Sequence, residues 1–246
     1  MGNLIKYEFR KSWSIKGIIL VITAIFEVMF LIGVFMQKEG FLAIGVTLLS
    51  MIAVCSVFII GIFGIFTLSR DLNTKRSYML FMTPNNSFKI LGAKLIENAS
   101  SIIVVSVCFV ALAIADVSIL AATYGEFKEL FEFINALLGE SYYVDSYRFA
   151  MISAASVVNW ISTVCLGFFA VIFCATLLNG KKYNGFLSFC IFIAISICLS
   201  KLLGVFIDDG LDFNTTRVII QIVYYAVVSV ILYVASAWLM DNKLSV

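Results

Sequence analysis

Apolar residues fall into six runs, at roughly 17–36, 41–68, 95–122, 149–178, 185–207 and 218–240. A helix needs about 20 predominantly apolar residues to cross the hydrocarbon core of a bilayer. Each run meets that length, and none shows the short polar/apolar alternation of a transmembrane barrel. The pattern predicts an all-α integral membrane protein of six transmembrane helices, organised as one domain over residues 1–246. The second and fourth runs exceed one crossing, which a tilt or a projection beyond the bilayer would accommodate.

Three segments outside the runs carry their own pattern. In residues 1–16, Ile5, Phe9 and Trp13 recur every four positions, with Lys6 and Arg10 on another face. That spacing predicts a helix lying along the membrane interface. In 69–94, residues 73–82 read as a short helix, after which Pro84-Asn85-Asn86-Ser87 breaks the chain and offers caps for the next one. Its apolar string Tyr78-Met79-Leu80-Phe81-Met82 lies beside Arg70, Lys75 and Arg76. A surface of that kind either docks onto a partner or rests on lipid. In 123–148, Phe127, Leu130, Phe131, Ile134 and Leu138 share one helical face and Glu126, Glu129 and Glu132 the other. This predicts an amphipathic helix, either a membrane-resting connector or a lid over an exit path.

Charge sets the orientation. With the N-terminus inside, the inner segments hold Lys6, Arg10, Lys11, Lys16, Arg70, Lys75, Arg76, Lys89, Lys94, Lys181, Lys182 and Lys243. Only Lys38, Lys128, Arg148 and Arg217 fall outside, and Lys201 lies within the fifth run. The excess of basic residues predicts that both termini are cytoplasmic. The first run is too long for a signal-peptide core, and Gln37-Lys38-Glu39 offers no small-residue cleavage site.

Composition narrows the chemistry. Hydrophobic types make up 62% of the chain and charged types 13%, about half the share of a soluble domain. There is no histidine, which excludes imidazole ligands, histidine bases and the H-E-x-x-H zinc motif. All six cysteines fall in apolar runs without a C-x-x-C pair, as packing residues would. The nearest approach to a P-loop, Leu178-Asn179-Gly180-Lys181-Lys182, lacks its first glycine and its hydroxyl residue. No paired carboxylates and no nucleophile–base set stand at a plausible site, so catalytic and metal residues are expected to be none.

Ionisable groups at membrane depth are costly and are functional candidates by default. Glu27 sits mid-run and nearly alone. Such a carboxyl must be protonated, paired, or facing a water-filled cavity. Lys201 is a conceivable partner at a different depth. Asp116 and Glu97 lie near the ends of the third run, within reach of the interfaces. Asn98, Asn159 and Gln221 are further polar groups in the spans, of the kind that bond across helices.

The order of these features resembles the type-2 ABC exporter permeases, the membrane halves of transporters whose ATPase is a separate chain. The opening Leu4-Ile5-Lys6-Tyr7-Glu8-Phe9-Arg10-Lys11 is similar to the family's "K-Y-E-F-R-K". Arg70-Asp71-Leu72, Lys75, Tyr78, Leu80 and Pro84, followed by Lys89-Ile90-Leu91-Gly92-Ala93-Lys94, resemble its coupling-helix segment. Ala237-Trp238-Leu239-Met240-Asp241 with Lys243 and Leu244 resembles its last helix and tail.

The resemblance implies a bacterial cytoplasmic-membrane protein that works as a dimer, with a second permease that is a copy of itself, on two ATPase subunits. ATP and Mg would be held by those subunits, with no cofactor on this chain and no nucleic acid. Asp71, Lys75, Tyr78, Leu80, Phe81 and Pro84 would couple to the ATPase. Glu27, Lys201, Asn159 and Gln221 would face the cavity, and Phe127, Leu130, Phe131 and Ile134 would form an outer lid. Polysaccharide exporters of this family carry extra outer helices between the last two spans. Here that link, 208–217, is short. The implied cargo is therefore a small hydrophobic or amphipathic peptide, such as a phenol-soluble-modulin-type toxin. Alternatives are a drug or bacteriocin self-protection pump, a lipid or polysaccharide exporter, and a membrane scaffold or immunity protein without an ATPase.

Overall fold

The computed structural model describes residues 2–73, 86–124, 146–178, 184–206 and 215–243, all of them helical or in the short links between helices. In chain order the helices are α1 (Gly2–Phe35), α2 (Glu39–Asn73), α3 (Ser87–Tyr124), α4 (Ser146–Leu178), α5 (Asn184–Phe206) and α6 (Thr215–Lys243). All six are long and apolar enough to cross a membrane, which makes the chain a multi-pass helical membrane protein.

Several helices outrun their apolar stretch. At 34 residues, α1 is about 51 Å long, against about 30 Å of hydrocarbon. Residues expected to form a separate interfacial helix are instead the first turns of α1. The physical reason is local: Ser12-Trp13-Ser14-Ile15-Lys16 contains no proline to break the ladder. Similarly α3 starts eight residues before its apolar run, where the Asn86 carbonyl accepts from the Lys89 and Ile90 N–H groups at 2.8 and 3.3 Å. Hydroxyls within the spans bond back to their own helix, as in Thr23 Oγ1 to Ile19 O at 2.8 Å and Ser236 Oγ to Leu232 O at 2.6 Å. They therefore need no partner from lipid.

The chain packs as two compact units. The first comprises Met1–Glu8, Gly61–Ala99 and Tyr147–Val246. Its core joins Leu68, Ile90, Leu91, Val164, Phe168, Val171, Ile172, Ala237 and Met240. Within it α4 is the most enclosed helix: Val164, Cys165, Leu166, Phe168, Ala170, Val171, Ile172 and Cys174 are all buried. Helix α5 is its opposite, with Phe186 and Phe189 exposed and Ser188 its single buried side chain among the described residues. Tyr224 of α6 donates to the α5 carbonyl of Leu199 at 2.9 Å.

The second unit comprises Phe9–Ile60 and Ser100–Ser146, with a smaller core of Ile19, Ile60 and Ile102. Here α1 and α2 form a tight hairpin. Gln37 adopts φ 51° and closes α1: its N–H bonds the Val34 carbonyl at 3.2 Å, and the Lys38 N–H bonds Gly33 O at 3.2 Å. This is a Schellman cap with glutamine where glycine is usual. Beyond it the two backbones nearly touch. A Cβ on Gly33 would lie 2.6 Å from Leu42 N, and one on Gly45 2.7 Å from Phe30 Cα. In lipid, helices associate through close packing rather than a hydrophobic drive, and small residues permit that approach.

Candidate functional site

The first unit contains a buried ionic triad. Lys94 Nζ donates to Glu8 Oε1 at 2.9 Å and to Asp71 Oδ2 at 2.7 Å. The side chains are 3%, 9% and 8% exposed, so the triad is essentially out of solvent. Glu8 comes from the second turn of α1, Asp71 from the end of α2 and Lys94 from the start of α3. Burying such ions costs several kcal/mol each unless they are paired and hydrogen-bonded, and here both distances are those of charge-assisted bonds.

Lys94 opens a polar stripe on α3. Glu97, Asn98 and Ser101 follow it at i+3, i+4 and i+7, and all four are buried. Glu97, expected to reach the interface, is instead held inside the protein. Asn98 lies so close to Gly64 that a Cβ there would overlap its Nδ2. The start of α3 is fixed from another side by α6: Tyr233 donates to the Phe88 carbonyl at 2.8 Å, and its ring meets Phe88 edge-on at 6.2 Å.

The second unit contains a different polar contact. The carboxyl groups of Glu27 of α1 and Asp116 of α3 come within reach of a carboxyl–carboxyl hydrogen bond. An ionised carboxylate has no proton to donate, so this bond holds only while one of the two is protonated. Glu27 Oε2 and Asp116 Oδ1 are buried, with no hydrogen-bond partner among the described residues. Within this unit Glu27 is therefore not alone: its neighbour is Asp116.

The remaining candidates are spread out. Asn159 and Gln221 are half-buried, and the Asn159 backbone carbonyl accepts from Thr163 Oγ1 at 2.9 Å. Of the coupling residues only Asp71 is described. Lys75, Tyr78, Leu80, Phe81 and Pro84 lie outside the described residues, as do Phe127, Leu130, Phe131 and Ile134. All six cysteines are free. Among the described residues no three His, Cys, Asp or Glu side chains gather in a way that could hold a metal ion. What the two polar contacts can do is hold helices through charge and keep a proton between two acids.

No protein-family model, curated protein or solved structure matches this chain.

Proposed function

We propose that this chain is the membrane-spanning permease subunit of an ATP-driven ABC exporter, and that its cargo is a hydrophobic or amphipathic molecule, foremost a small peptide. Two such permeases would share two ATPase subunits, with both termini on the ATPase side. The observation that carries this reading is how residues 74–85 are bounded. Helix α2 runs past its apolar stretch to Asn73, and α3 begins at Ser87, well before its own. The Asp71–Lys94 bond ties these two helix ends together. A segment that receives force from a partner needs that kind of anchorage at both ends. The coupling-like string Lys75, Tyr78, Leu80 and Phe81 falls between them.

The test is reconstitution with a candidate ABC ATPase. Leu80→Glu with Phe81→Glu is expected to abolish transport and cargo-stimulated ATP hydrolysis while leaving the chain folded. Undiminished transport by that variant would sink the assignment of the coupling residues. Failure of any ATPase to co-purify would favour an ATPase-independent scaffold or immunity protein. Comparing stimulation by amphipathic helical peptides and by lipids identifies the cargo class.

A further inference from the structure

Three helices, α1, α2 and α3, run from one compact unit into the other. The chain changes unit after Glu8 on α1, after Ile60 on α2 and after Ala99 on α3, and again at Ser146, where α4 begins. Each of these helices contributes one residue to the triad: Glu8, Asp71 and Lys94. Helices α4, α5 and α6 contribute none to it. The ammonium is common to both bonds, so Lys94 links Glu8 to Asp71. Lys94 itself is seated firmly, because α3 is packed into the core through Ile90 and Leu91 and clamped to α6 through Tyr233.

We propose that Lys94 is the positioning residue of a three-helix joint, fixing the start of α1 and the end of α2 to the start of α3 so that the three move as one body. An apolar contact holds helices at a spacing but lets them slide. A buried ammonium with two short bonds fixes rotation and register as well, since a slip breaks a charge-assisted bond inside the protein. Glu97, one turn further along α3, is also buried and has contacts of its own. The two bonds act separately. Losing Glu8 frees α1 and leaves the Asp71 bond, whereas losing Asp71 frees α2 and leaves the Glu8 bond.

The experiment is hydrogen exchange, read by mass spectrometry, on the full chain in a lipid nanodisc. It follows residues 5–12, 66–73 and 87–97 in the wild type and three variants. Glu8→Gln is expected to speed exchange about tenfold in 5–12 and to leave 66–73 within about twofold of wild type. Asp71→Asn is expected to do the reverse. Lys94→Met is expected to speed both segments. A general loss of stability would raise all three segments together in every variant. That result, or a single variant that leaves its own segment unchanged, overturns the joint. Should Lys94→Met fail to fold, the two carboxylate variants decide the matter alone.

Discussion

Lys94 and Glu27 are both ionisable side chains on long apolar helices, and their environments meet the cost of burial in opposite ways. Lys94 gathers two carboxylates of opposite charge at 2.9 and 2.7 Å. Glu27 meets another acid, and the contact depends on a proton. The packing around them differs too. The first unit is built on bulky side chains such as Phe168, Leu68 and Met240, whereas the second brings backbones together at Gly33 and Gly45. A fixed charge pair and a bulky core suit a region that keeps one arrangement. A shared proton is a bond that can be made or lost without moving a heavy atom.

The contrast is most exposed at Lys94. Lys94→Met leaves two buried carboxylates without their cation, and should cost about 3–5 kcal/mol in detergent unfolding. Glu27→Met removes one of two acids and lets Asp116 take a proton, at no more than about 1–2 kcal/mol. Equal losses from the two would erase the distinction between the regions. Next in size is Gly45→Leu. Its side chain has no room against Phe30, and the hairpin should open at a cost of about 1–3 kcal/mol, visible as a lowered Tm. The same substitution at Gly185, where a Cβ meets nothing within 4 Å, should leave Tm nearly unchanged.

A finer test separates proton from packing. In Glu27→Gln the amide donates to Asp116 whether or not that acid is ionised. The variant should match wild type to within about 1 kcal/mol at low pH, where the native bond has its proton. It should exceed wild type once the pH is high enough to ionise both native carboxyls. Parallel stability–pH curves would show that the native pair does not depend on a proton. The smallest expected effect is Gln37→Gly. It relieves a left-handed residue at the α1 cap and should raise stability by about 0.5–1 kcal/mol.

The six spans were legible because about 20 apolar residues leave few alternatives to a membrane helix. The polar contacts were not, for a reason of measurement. Depth judged from the start of each apolar run puts Glu27 about ten residues in and Asp116 about twenty-one, too far apart to meet. Counted instead from the bonded residues Glu8 and Lys94, Glu27 lies 19 residues on and Asp116 22. Those differ by less than one helical turn. Helices that begin at different heights make the apolar boundary a poor origin. By its place before the apolar run Lys94 looks like a loop cation, yet the spacing of Lys94, Glu97, Asn98 and Ser101 marks a polar stripe on one helical face. Glu8 gave no comparable signal. A lone acid among Lys6, Arg10 and Lys11 looks like local charge balance, and its partner lies 86 residues away.

The α1–α2 hairpin also bears on how the chain is made. Its cap, its link and its two glycine contacts all lie within the first 73 residues, and the residues they join are close in sequence. Contacts of short range form early because little loop entropy stands in their way. The hairpin has everything it needs to close before α3 and the helices after it are made. The later helices then enter a bilayer where the first pair is already in place to receive them.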